Sequence, residues 1–549
     1  MWDNLRRSWL RVALVVCLAS AVAPVLGTPV LPFHDDSGII GLGGALALRD
    51  QPQAQIDTYY DLDIRPYPSA LYFGWAVLAG ELGVDIAAAF SVFWALFCIA
   101  GPVAGLAFLL RVHRRPMALA LLAFPASYHK QIWFGFFGSS AAITGLLFAL
   151  GFAKRLGDRP TLASHLGLAV AALFVATAHP FPLVLTLLVI APLLLWPPAG
   201  LRWPQRLARY GMRLACLLPA AVFLTPWVGS FFGQRTGSLS LLERIAVEVR
   251  PHTPELSDPQ TFLLWLGDGY AAGFDEWVPG IGLLTLILLL ALGMRPGRES
   301  RAPREATELD EPGATTDPQA PLISMDRRSQ VGLWWAAGVL VLGFLFLPMK
   351  LMWPDTWWGI RVRCAVPAYL VLIALVRPRR RGLPQVAVLP AAAAALAFFV
   401  YIAVDFSTHW RQRLEGFDGA LAVLPQGASV MGLNALPEKH YALNHPYIVQ
   451  HAVARKGGRA VPHLKGHPGA YWITMKPAPP PPGWGDPWQF EWKTHAPGYD
   501  YFLLEKPRDG PWPEPFADAP PGAVERVFDG AGWRLYQNLE QKPKRPPPE

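Results

Sequence analysis

The chain is short of charge, of cysteine and of any phosphate-cradling glycine loop, and each shortage closes off a class of function. Asp, Glu, Lys and Arg make up only 16% of its 549 residues, against 52% apolar side chains, which excludes an ordinary soluble globule. Its four cysteines, Cys17, Cys98, Cys216 and Cys364, lie inside or at the rim of apolar runs. None has metal-ligand spacing, so they read as buried inert thiols rather than disulfides or zinc ligands. There is no internal repeat. Gly41-Leu42-Gly43-Gly44 does not follow a strand, so it does not predict nucleotide binding. The formal charge of +8 does not point to nucleic acid either, because the cations sit in short clusters between apolar runs, where cytoplasmic loops carry them.

What the chain has in abundance is apolar stretches of about twenty residues, bracketed by Arg or Pro. The first, Val12–Leu26, follows Arg6, Arg7 and Arg11. It reads as an uncleaved span, with a cleaved signal peptide ending near Ala19-Ser20-Ala21 as the alternative. Asp85–Leu110, Met117–Ser127, Phe136–Phe152, Leu162–Ala178, Leu183–Trp196, Leu214–Val228, Val278–Leu292, Val331–Leu347, Ala365–Val376 and Val386–Val404 follow. The clusters Arg111/Arg114/Arg115, Lys154/Arg155/Arg159, Arg202/Arg206/Arg209/Arg213 and Arg377/Arg379/Arg380/Arg381 all fall on one side of such a path. The pattern predicts a polytopic α-helical membrane protein with about eleven crossings.

Residues 1–404 are then a transmembrane domain. It includes a first outer loop at 27–84 and, at 295–330, a polar, Pro-rich stretch that reads as a disordered cytoplasmic linker. Within the loop, Gly38–Leu48 and Ser69–Gly83 are apolar but too short to cross, and they read as interfacial helices with Tyr72 and Trp75 at headgroup level. Residues 405–549 are polar enough for a small extracytoplasmic α/β domain. There Trp410–Leu424 reads as a helix, and Ala428–Leu433, Tyr471–Met475, Tyr499–Leu504 and Trp533–Gln537 read as strands.

The acidic loop holds the chief candidates for chemistry. Neighbouring carboxylates at Asp35 and Asp36 repel, so one proton affinity rises while the other group stays ionised. An ionised Asp beside an acceptor hydroxyl serves as general base, and its neighbour orients the acceptor or binds a divalent cation. The plainer reading is a cap for a helix starting at Ser37 or Gly38. His34 is a metal ligand or proton carrier beside the pair, or a lone histidine with neither role. Asp57, Asp61 and Asp63 among Tyr59, Tyr60 and Tyr67 suit sugar binding or a plain solvated loop.

Lys350, Arg361 and Arg363 flank Trp353, Trp357 and Trp358 at an outer edge, against the usual placement of cations. They fit an anionic headgroup or lipid phosphate bound bidentately, or simple snorkelling. His129-Lys130 and His179-Pro180 sit at two further outer turns, either lining the same cavity or ending helices.

Phe33-His34-Asp35-Asp36, the short helices around Ser69–Gly83 and the 405–549 tail together resemble GT-C membrane glycosyltransferases, the group that includes protein O-mannosyltransferases and lipid A aminoarabinose transferases. A glutamate often seen in that family's motif is missing. The resemblance implies transfer of a sugar from a polyprenyl-phosphate donor to a glycan, lipid or protein acceptor outside the cytoplasmic membrane. It also implies Asp35 as base, Asp36 as the second acidic position and Arg361 with Arg363 as phosphate binders. Two other classes fit the composition: a transporter or flippase of a lipid-linked glycan, with sites near the bilayer midplane, and a scaffold of a cell-envelope assembly.

Overall fold

The computed structural model describes residues 2–28, 30–31, 33, 35–64, 67–158, 160–196, 202–233, 259–267, 274–294, 327–351, 357–377, 383–410, 414–435, 447–462, 472–483, 485–507 and 510–541. The expected linker at 295–330 lies largely outside them, as do most of the second long outer loop and the Pro-rich terminus.

Apolar helices run between two ends of a bundle, and the two ends differ in chemistry. Among the described residues, four helices are long and apolar enough to cross a membrane: Ser8–Leu26, Ile86–Val112, Phe137–Asp158 and Pro384–Thr408. A fifth candidate is the pair Trp203–Ala215 and Leu218–Val228, bent by 55° at its break. A helix rises about 1.5 Å per residue against a hydrocarbon core about 30 Å thick. Other apolar helices range from the short Met117–Ala126 to Phe274–Met294 and Arg327–Phe346, of 21 and 20 residues. Four or five described helices thus meet the length and hydropathy of a full span, as a helical membrane protein requires, and shorter apolar segments pack among them. Met117–Ala126, for instance, is a buried 3-10 helix.

One end of the bundle collects cations. Arg111 ends the helix Gly101–Val112, Arg155 lies in the last turn of Phe137–Asp158, and Arg115 Nε donates to Ala374 O (3.1 Å) at the foot of Ala365–Leu375. At the other end, the first helix is fixed by Tyr128 Oη donating to Ala21 O (2.7 Å). The last long helix arrives there with Phe406 edge-on to Trp133, at 6.1 Å between centroids.

Beyond that end lies a five-stranded sheet ordered Arg459–Val461, Ser429–Leu433, Tyr501–Glu505, Trp533–Asn538, Val524–Asp529. The first three strands are parallel and the last two pairings antiparallel. Ser429–Leu433 and Tyr501–Glu505 are buried at every position, as parallel strands covered on both faces must be. The strands expected at Ala428–Leu433, Tyr499–Leu504 and Trp533–Gln537 lie in this sheet, whereas Arg459–Val461 and Val524–Asp529 are not among those expected. The strand expected at Tyr471–Met475 is present as Ile473–Met475 and pairs antiparallel with Tyr60–Leu62 of the first loop.

That pairing ties the first loop to the tail. The helix Asp36–Ala47 is buried from Asp36 through Leu46, because the tail helix Gln450–Lys456 packs on one side of it and Ala70–Glu81 on the other. Tyr72 is buried, and Trp75 donates its indole N–H to Ala89 O (2.8 Å). Asp61 meets Lys476 Nζ at 3.8 Å, Lys476 Nζ donates to Asp57 O (2.6 Å), and Tyr67 donates to Asp63 (2.8 Å). These contacts tie the stretch from Asp57 to Tyr67 to the tail and to itself.

Close approach depends on Gly44, where a Cβ would lie 2.3 Å from Ala454 Cα, a backbone atom that cannot turn aside. Gly44→Ala is expected to destabilise the protein by about 1–3 kcal/mol, read as a lower midpoint in thermal unfolding.

Candidate functional site

The site is built on one turn, residues 128–137, between the 3-10 helix Met117–Ala126 and the helix Phe137–Asp158. Trp133 donates its indole N–H to Tyr128 O (2.9 Å), closing the turn. Phe33 packs edge-on against Trp133 (5.6 Å) and Trp94 (4.8 Å). This aromatic wedge brings the first loop down onto the turn, so Asp35 arrives beside Gly135.

Gly135 has φ +73°, and a Cβ there would sit 2.7 Å from Asp35 N and 2.9 Å from Asp35 Cβ. Glycine is required both for the left-handed backbone and for the contact. Asp35 occupies the N-cap position of Asp36–Ala47 but makes no side-chain capping hydrogen bond, so the plain cap reading does not describe it. It is half-buried.

Asp36 behaves differently. It is fully buried; Oδ1 accepts from Trp94 Nε1 (2.7 Å), while Oδ2 has no partner. Burial pushes its carboxyl from 3.8 up to about 8, against a smaller lowering from the Trp94 bond. Loss of water around Asp36 is the main cause of that rise. Trp94 stands on a π-helical stretch, Trp94–Ala100, whose extra residue aims its indole at Asp36.

This gives a pH prediction. Between about 4 and 8 the folded chain holds a proton on Asp36 that the unfolded chain has lost, so stability falls as pH rises across that window. Asp36→Asn is expected to flatten that fall, measured as unfolding midpoints at pH 5 and pH 8; an unchanged slope would place the titration elsewhere.

The cations come from the opposite flank. Arg361 and Arg363 lie on the 3-10 turn Arg361–Cys364, held to the same loop by Gln131 Nε2 donating to Val362 O (3.2 Å). The Arg363 guanidinium stacks on Phe136, at 4.7 Å from the ring centroid. Its Nη1 donates to Ser139 Oγ (2.5 Å) and meets His179 Nε2 at 2.6 Å.

His179 enters from the bend between Leu162–Ala178 and Pro180–Leu195, where its Nδ1 also lies 3.2 Å from the Phe181 N–H. Burial, with the Arg363 charge second, holds His179 well below the usual histidine value. A neutral imidazole has one ring lone pair, so two N–H donors compete for it. Lys130 is half-buried on the turn itself, its ammonium 5.6 Å over the Trp265 ring.

Asp35 and Arg363 thus meet adjacent residues of one turn, Gly135 and Phe136, and His179 meets Arg363; Lys130 lies on the same turn, Arg361 two residues from Arg363, and Asp36 faces inward. His34 and the Lys350 side chain lie outside the described residues; the Lys350 backbone pairs with Trp358. Ser139, Gln131 and Gly135 escaped the sequence reading. Their only local signal is the small and polar interruption Gly135-Phe-Phe-Gly138-Ser139-Ser140 in an apolar run. Buried polar atoms without a partner cluster here too: Asp36 Oδ2, Ser37 Oγ, both His129 nitrogens, Gln131 Oε1 and Ser140 Oγ. Among the described residues, no group of His, Cys, Asp and Glu is placed to hold a metal ion.

Sequence comparison finds no matching family profile and no matching curated protein.

Proposed function

We propose that the chain is a membrane glycosyltransferase of the GT-C type. It would move a sugar from a polyprenyl-phosphate donor to an acceptor hydroxyl at the outer face of the cytoplasmic membrane. The supporting observation is that a half-buried carboxylate and a stacked guanidinium meet consecutive residues of one turn, Asp35 at Gly135 and Arg363 at Phe136. They do so at the bundle end opposite the cation clusters, which the positive-inside rule assigns to the outer side.

In this reading Asp35 takes the acceptor proton as the new carbon–oxygen bond forms at the sugar's anomeric carbon. The bond from that carbon to the carrier phosphate breaks, and the phosphate leaves with the electron pair. Arg361 and Arg363 stabilise the charge that develops on it. His179 and Ser139 hold the Arg363 guanidinium in place, and an incoming phosphate relieves the competition for the imidazole lone pair. Asp36, neutral and bonded to Trp94, sets the start of the helix that carries Asp35. A transporter would place its polar groups near the midplane; here they gather at one end.

Arg363→Ala is expected to lower turnover about 10²–10³-fold, and Arg363→Lys to restore little, since an ammonium neither stacks on Phe136 as a plane nor binds phosphate bidentately. The assay is release of polyprenyl phosphate from a panel of synthetic polyprenyl-phosphate sugars by the reconstituted protein. Full activity in Arg363→Ala would remove the arginine from the mechanism.

A further inference from the structure

At the cation-rich end, the helix Trp203–Ala215 carries two stripes of the same spacing set one residue apart. Trp203, Leu207, Tyr210 and Leu214 recur at i, i+4, i+7 and i+11, as do Arg202, Arg206, Arg209 and Arg213. Each stripe is about 60° wide, and the two are displaced by about 100° around the helix. Arg213 is buried, and its Nη1 donates to Leu194 O (2.9 Å) and Trp196 O (3.0 Å), the open carbonyls at the end of Pro180–Leu195. That anchor fixes the rotation of the helix and turns the apolar stripe outward, with Trp203 66%, Leu207 50% and Leu214 46% exposed.

The exposed stripe continues into the next helix, where Leu218 and Val222 are exposed in turn, beyond the 55° bend. An apolar surface running without interruption from a spanning-type helix onto a bent, arginine-bearing one matches a bilayer surface, with acyl chains under the apolar stripe. Charge supports the same occupant: no Asp or Glu occurs in the sequence between Asp158 and Glu243, so the segment that bears Arg202, Arg206 and Arg209 carries positive charge alone. Tryptophan at the start of such a helix is the residue type that settles at the headgroup level.

We propose that Trp203–Ala215 lies in the plane of the membrane surface at the cation-rich end and binds anionic phospholipid headgroups through Arg202, Arg206 and Arg209. The inference is independent of the catalytic reading. Each arginine near an anionic surface favours binding by about five-fold, so the preference is cumulative.

The test uses the full chain in nanodiscs of phosphatidylcholine with and without phosphatidylglycerol. Leu207→Cys, and separately Leu214→Cys, carries an environment-sensitive fluorophore; the native thiols are buried. Quenching by lipids bearing a nitroxide near the headgroup is expected to exceed quenching by a deep nitroxide. A label at Val222→Cys should show the reverse order. Phosphatidylglycerol should strengthen shallow quenching, and the combined Arg202→Gln, Arg206→Gln, Arg209→Gln variant, which keeps the Arg213 anchor, should lose that increment. Absence of lipid quenching at both 207 and 214 overturns the placement in the surface. An increment unchanged in the arginine variant overturns the headgroup assignment.

Discussion

Asp35→Asn is expected to lower sugar transfer by about 10²–10⁴-fold, whereas Asp36→Asn at the neighbouring position is expected to leave it within a few-fold. The contrast follows from surroundings rather than residue type. Asp35 is half-buried against Gly135 at the mouth of the helix Asp36–Ala47 and makes no capping bond, so an amide there removes the base without disturbing the helix. Asp36 is sealed in the core with its carboxyl neutral below about 8. Asparagine keeps the carbonyl that accepts from Trp94 and removes a proton equilibrium that works against folding at high pH. Equal losses in both variants would revive a two-carboxylate or metal-bridged site. Initial rates of polyprenyl-phosphate release, on protein checked for membrane insertion, decide between these outcomes.

Removal of residues 405–549 is expected to abolish transfer as fully as Asp35→Asn does. On the sequence alone the tail reads as a separable domain, and its deletion looks like a way to tell an enzyme from a scaffold. The packing changes that expectation. Gly44 sits against Ala454, Tyr60–Leu62 pairs with Ile473–Met475, and Asp63 N donates to Trp472 O (2.9 Å). Without the tail, the helix that presents Asp35 loses its cover and exposes an apolar face. The measurement is protease sensitivity of the first loop together with transfer activity. A truncated protein that keeps both the loop fold and activity would show that the tail does not position the site.

Much of this arrangement was legible in the residues. Apolar runs ending in arginine marked the helices and the cation-rich end, since charge asymmetry is written directly into the loops. The acidic doublet and the arginines at 361 and 363 stood out because they broke that bias. The number of full crossings was not legible. Helices of 10–17 residues carry the same hydropathy as spanning ones, and their apolar content is buried within the protein as well as against lipid.

The first loop was legible only in part, for a related reason. Gly38–Leu48 reads as interfacial because it is apolar but too short to cross, whereas Gly41 and Gly44 also permit a close backbone contact with a segment more than four hundred residues away. No local pattern encodes such a partner. Nor does any pattern single out Gly135, whose role appears only once the 128–137 turn meets Asp35.

The central claim is that Asp35 and Arg363 serve one pocket at the outer end of the bundle, and labelling at position 35 tests it most directly. In Asp35→Cys, with the native thiols buried, a membrane-impermeant maleimide is expected to react from the outer side. Polyprenyl phosphate should block that reaction, and Arg363→Ala should remove the block. Reaction only from the cytoplasmic side, or a block that survives Arg363→Ala, would contradict the claim.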